Sequence, residues 1–164
     1  MHRRSTVVIG SLMLTLFWAV VVGDLSYGGE KSDMGGWERG GPYNRLYVAS
    51  ERDKFKGTVL EIKEVTPLPG MSPGVALLVR GSDGDTVEVH LGPRWFIDPK
   101  KMGIKKGDKV TMKGCWAEAG NKEVFLASKV QKGANFEFKV RRSRDGMPYW
   151  TMSPEELAKE KAGN

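Results

Sequence analysis

The chain has 164 residues, enough for one compact domain of ordinary size and hardly for two. It carries a formal charge of +6 and a single cysteine, Cys115. An internal disulfide, a zinc site built from several thiolates and a Cys-x-x-Cys-His haem attachment are therefore excluded.

The N-terminus places His2, Arg3 and Arg4 before an uncharged apolar stretch from Ser5 to Gly23. A basic segment, an apolar segment and small residues around Gly23 predict a signal peptide over 1–23, and the same stretch also approaches the length of an uncleaved membrane anchor. The expected location is periplasmic or otherwise extracytoplasmic, with the membrane as a partner only if the segment stays attached. Without residues 1–23 the chain keeps 24 basic and 20 acidic side chains, unevenly spread. Residues 100–144 hold 13 Lys or Arg against 4 Asp or Glu, whereas 24–99 hold 9 against 12. Such a cationic half attracts anionic partners through long-range electrostatics.

Residues 24–42 are rich in glycine and poor in aliphatic side chains, and predict a flexible linker with Trp37 standing alone in it. Weak helical turns are expected around Leu46 and Tyr47. From about Phe55 the periodicity becomes two. A change of phase between Phe55, Gly57, Val59 and Leu60, Ile62 is what a bulge in a long first strand produces. Strands follow at Val75–Gly81 and Thr86–Leu91 around an Asp83-Gly84 turn, with Gly92-Pro93 as a stop. Arg94–Met102 is too broken by Pro99 for more than a short turn. Two further strands, Lys109–Ala117 and Val124–Gln131, meet at Ala119–Lys122.

Three strands, a connector and two strands is the order of the OB-fold, a five-stranded Greek-key barrel. The fold class is all-β: a five- to six-stranded OB-like barrel over 43–152, with an extra hairpin at Phe136–Arg141 and Asp145-Gly146. A tail over 153–164 starts a short helix at Ser153-Pro154-Glu155-Glu156.

Four elements, Gly70-Met71-x-x-Gly74-Val75, Val89-His90-Leu91-Gly92-Pro93-x-Trp95, Lys106-Gly107-Asp108-x-Val110 and Arg142 to Trp150, resemble a group of small exported bacterial OB-like proteins without a settled activity. The resemblance spans Tyr43 to Trp150 and implies an envelope-located module. The Ile104–Val110 turn and Gly120-Asn121 are also similar to periplasmic copper-binding OB-barrels, which hold Cu(I) with a His, a Met-x-Met pair and a capping Trp. This chain has His90, Met102, Met112, Trp95 and Trp116 but no Met-x-Met, so that similarity implies the fold alone.

No Ser-His-Asp set and no phosphate loop is visible, and the expectation is a non-enzymatic binding or assembly module. Its cationic face, Lys129, Lys132, Lys139, Arg141, Arg142 and Arg144, is expected to dock an anionic partner such as an envelope protein, with no cofactor. Two alternatives stay open. One is copper handling by His90, Met112 and Cys115, since imidazole and sulfur donors suit Cu(I). The other is nucleic-acid binding, which the exported setting disfavours and which rests on fold analogy. Trp95 and Phe96 are possible aromatic contacts, although Trp95 and Trp116 are expected chiefly to plug the barrel ends. In strand four, Cys115 falls opposite Val110, Met112 and Trp116, and is either exposed or covered by a terminal segment.

Overall fold

The computed structural model describes residues 33–163. The expected signal peptide or anchor and the first part of the expected linker lie outside the described residues. Two 3-10 turns, Asn44–Leu46 and Ala49–Glu51, precede six strands: β1 (Asp53–Val65), β2 (Gly74–Gly81), β3 (Thr86–Pro93), β4 (Lys109–Ala119), β5 (Lys122–Lys132) and β6 (Phe136–Lys139). A third 3-10 turn, Tyr149–Thr151, and helix α1 (Pro154–Ala162) complete the chain.

The strands pair antiparallel in the order β3-β2-β1-β4-β5-β6, and a short parallel pairing of β3 with β5 closes the first five into a ring. This is the OB-type barrel expected from the strand order. Its bend comes from the predicted bulge in β1: the pairing with β2 steps from Val59↔Val79 to Glu61↔Leu78, leaving Leu60 unpaired. Val59 turns there to the loop before β4, donating its N–H to Asp108 and accepting from Gly107.

Alternation sends Val59, Leu77, Val79, Val89, Val110, Met112, Phe125 and Val130 into the buried core. Trp116 closes one mouth, stacking on Phe55 at 5.8 Å and meeting Phe125 edge-on at 5.1 Å. It stays 38% exposed and donates its indole N–H to Asp53, so the expected plug is a partial one.

Strand β6 lies on β5 through Lys129↔Lys139 to Lys132↔Phe136. The expected hairpin beyond it shrinks to one bridge, Arg141↔Pro148, because Val140 and Arg141 both turn their N–H groups to the Ser128 carbonyl. Helix α1 starts as predicted. Ser153 Oγ accepts from the Glu156 N–H while the Glu156 carboxylate accepts from the Ser153 N–H, with Pro154 in the first turn. The Arg94–Met102 connector forms turns and no helix.

The segment from 33 to 42 is not a tether. Gly35 and Gly36, at φ 62° and 89°, fold the chain tightly enough to drive Trp37 to full burial. The Trp37 ring lies so close to Gly74 that a β-carbon there would sit 2.5 Å from it, and Gly92 seats Trp150 in the same way at 2.7 Å. Three of the four elements behind the sequence resemblance, those holding Gly74, Gly92 and Trp150, therefore meet around these two rings, while Lys106–Val110 bonds to Val59. The Trp150 indole donates to the Trp37 carbonyl at 2.9 Å, and the Trp37 indole to the Ser72 carbonyl at 3.0 Å.

Candidate functional site

A second core lies on the outer face of β3, β5 and β4. The register places His90 beside Leu126 and Leu126 beside Cys115, on the opposite side of the sheet from Val89, Phe125 and Trp116. The 33–52 and 140–151 segments cover this patch with Trp37, Tyr43, Tyr47, Arg141 and Trp150. Cys115 is thus fully buried, and burial pushes its thiol up.

His90 sits in a complete hydrogen-bond chain. Tyr43 Oη lies 3.1 Å from its Nδ1 and Glu88 Oε1 lies 2.9 Å from its Nε2. Burial pushes the imidazole below its usual value, so the neutral ring accepts from Tyr43 and donates to Glu88. Burial alone would raise the Glu88 carboxyl, but hydrogen bonds from Lys122, His90 and Lys63 outweigh it and hold the group at about 2. With both ring nitrogens engaged, His90 has no lone pair free for a metal. Met112 points into the barrel while Cys115, three residues on in the same strand, points to the other face. The geometry therefore does not gather the sequence trio of His90, Met112 and Cys115. Among the described residues no group of three His, Cys, Asp or Glu side chains suits a metal.

The expected cationic face needs revision. Arg141 is 2% exposed and stands between the rings of Tyr47 and Trp150, 5.1 and 4.9 Å from their centroids. It donates to Asn44 Oδ1 and to the Gly146 carbonyl. Alternating charge could not reveal this, because the strand ends at Lys139 and the chain dives under Trp150. Arg142 is clamped by Asp145 and Glu160, Arg144 bonds Glu160, and Lys132 pairs with Asp108. Arg142 and Arg144 hold the C-terminal segments to one another, and Lys132 ties the end of β5 to the loop before β4.

Lys129 and Lys139 stay on the outer face of the sheet, their side chains 16% and 22% exposed, and the register supplies neighbours that no single segment reveals. Lys54 of β1 lies opposite Lys113 of β4, Lys113 opposite Lys129 of β5, and Lys129 opposite Lys139 of β6. Four lysines thus form one unbroken row across four strands, about 14 Å long at the usual strand spacing. Like charges directly opposite destabilise a sheet. Glu137 relieves one end, its carboxylate bound by Lys129 at 2.7 Å and by Lys139 at 3.3 Å, and these contacts hold it at about 2. The neighbouring rows add Lys56 and, on either side of Thr58, Arg80 and Lys109. A signal for this face was present: Lys54, Lys56, Lys109 and Lys113 alternate with the core positions Phe55, Val110 and Met112.

Trp95 is 53% and Phe96 37% exposed, so Trp95 is no plug. Phe96 leans on Trp150 and, with Phe138, Tyr149 and Leu157, lines a groove of about 880 Å³ against α1. Among the described residues no helix is long and apolar enough to cross a membrane.

Residues 51–137, a little over half of the chain, match the model of the MamS/MamX magnetosome protein family. No curated protein matches the chain. The matched span runs from the turn before β1 into β6. It holds the barrel, most of the lysine row and the strand residues of the second core, and leaves out nearly all of the segments that cover that core.

Proposed function

The chain belongs to the MamS/MamX magnetosome protein family, and from that footing we propose that it is a non-enzymatic docking module acting on the extracytoplasmic side of a bacterial membrane system. Its outer β1-β4-β5-β6 face binds an anionic partner. The observation that carries this reading is the cross-strand row Lys54, Lys113, Lys129 and Lys139. A sheet that keeps four like charges in register gives up stability for a positive strip, and a polyanion offsets that cost. The row's backbone is fixed by the hydrogen-bonded pairing of β1, β4, β5 and β6, which limits the ordering entropy that opposes binding. Arg141, Arg142, Arg144 and Lys132, by contrast, are engaged in holding the fold together, which favours the β1-β4-β5-β6 face over them as the interaction surface.

The test is capture of the full chain on an anionic matrix such as heparin, read as the salt concentration needed for release. Lys54→Glu with Lys113→Glu should shift release to markedly lower salt, because both charges lie within a Debye length of the bound anions. Release at the same salt as the unaltered chain would overturn the assignment of this face.

A further inference from the structure

One end of the cationic face is hollowed into a shallow cleft of about 400 Å³ between β1, β2 and β4. Its floor is Thr58 and Thr111, and Lys56, Arg80 and Lys109 stand around it. The register explains the arrangement. Thr58 pairs with Arg80 on one side and with Lys109 on the other, while Lys56 lies two residues back on the same face of β1, opposite Thr111. At ordinary sheet spacings Arg80 and Lys109 are each about 5 Å from Thr58 along the hydrogen-bonding direction, and Lys56 is about 7 Å along the strand.

Most other cations of this sheet region bind a carboxylate: Lys129 and Lys139 share Glu137, and Lys132 takes Asp108. The side chains of Lys56, Arg80 and Lys109 have no hydrogen bond or ion pair among the described residues, and no carboxylate lines the cleft. Three cations around a hydroxyl floor match a tetrahedral dianion, with the guanidinium taking two oxygens and each ammonium one.

We infer that this cleft is a binding site for a phosphoryl group, with Arg80, Lys109 and Lys56 holding its oxygens and Thr58 donating from below. The inference is compatible with the docking reading but does not depend on it, since the cleft uses none of the four row lysines.

The experiment is a titration of the isotope-labelled full chain with inorganic phosphate at constant ionic strength, chloride being the control, read from backbone amide shifts. Saturable shifts confined to residues around Thr58, Arg80 and Lys109 are expected. Arg80→Gln with Lys109→Gln should weaken them about tenfold or more, whereas Lys54→Glu with Lys113→Glu should leave them in place. Shifts that chloride reproduces, that fail to saturate, or that survive in the Arg80/Lys109 variant would overturn the site. A second arm adds vesicles of phosphatidylcholine with or without phosphatidic acid. Perturbation of the same residues by phosphatidic acid identifies a lipid headgroup as the source of the phosphoryl group, and a response to inorganic phosphate alone identifies a soluble one. If the row variant loses heparin capture but keeps phosphate shifts, cleft and docking face are separate; if it keeps both, the docking reading fails and the cleft stands.

Discussion

Replacing Glu88 by Gln tests the best-connected buried carboxylate in the molecule. The residue is 8% exposed and bonds Lys63 at 2.9 Å, Lys122 at 2.6 Å and His90 at 2.9 Å. Lowering its carboxyl from 4.5 to about 2 sets a ceiling of about 3 kcal/mol on its contribution near neutral pH. Lys122 is 56% exposed and Lys63 33%, so solvent screening reduces the figure to about 2 kcal/mol. The glutamine can still accept from His90, so the change removes charge and leaves shape nearly intact. Because the folded-state value is depressed, this stability is present above pH 4.5 and lost as pH falls from there through about 2. Urea unfolding followed by tryptophan emission should show the variant about 2 kcal/mol less stable near neutrality. The gap should narrow below pH 4.5 and nearly vanish only by about pH 2. A gap of constant size over that range would refute the argument.

Three further outcomes follow from the same architecture. His90 is depressed from 6.5 by burial, so the unaltered protein should lose stability as pH falls below 6.5, in a window above that of Glu88; His90→Gln should remove that upper step from the stability profile. Arg141→Lys should cost about 2–4 kcal/mol in chemical denaturation, because an ammonium cannot lie flat between Tyr47 and Trp150 while reaching both Asn44 and Gly146. A variant as stable as the parent would show that charge alone matters there. Gly92→Ala should cost about 1–3 kcal/mol and alter the near-ultraviolet dichroism of the tryptophans, since the new methyl would press into Trp150.

What the sequence conveyed was local. The bulge at Leu60, the capping box at Ser153 and the alternation of β1, β4 and β5 each depend on residues a few positions apart, and all were readable. The two faces of β3 were not. Thr86, Glu88 and His90 alternate with Val87, Val89 and Leu91 like a half-solvated strand, yet His90 is 3% exposed, because segments 50 residues upstream and downstream cover the polar side. Trp37 stands in the sequence as an isolated ring in a glycine-rich stretch for the same reason: its seat on Gly74 is made by another part of the chain. Charge was legible as an amount and not as a place. Arg141 and Arg142 are neighbours, but one is sealed between aromatic rings and the other is tied to Asp145 and Glu160. The lysine row needed the pairing register of four strands, which no single segment encodes.

The bond from the Trp150 indole to the Trp37 carbonyl joins residues 113 positions apart. Contacts of such separation close late, because the loop-closure entropy of the intervening chain must be overcome first. The barrel ring needs nothing beyond Lys132, so it can close while the outer patch around His90 and Cys115 is still bare. Folding should then run in two stages, with Cys115 open to a thiol reagent in the interval and protected once the last turn before α1 docks. A chain ending at residue 139 would be arrested between them, with a closed barrel and a reactive thiol.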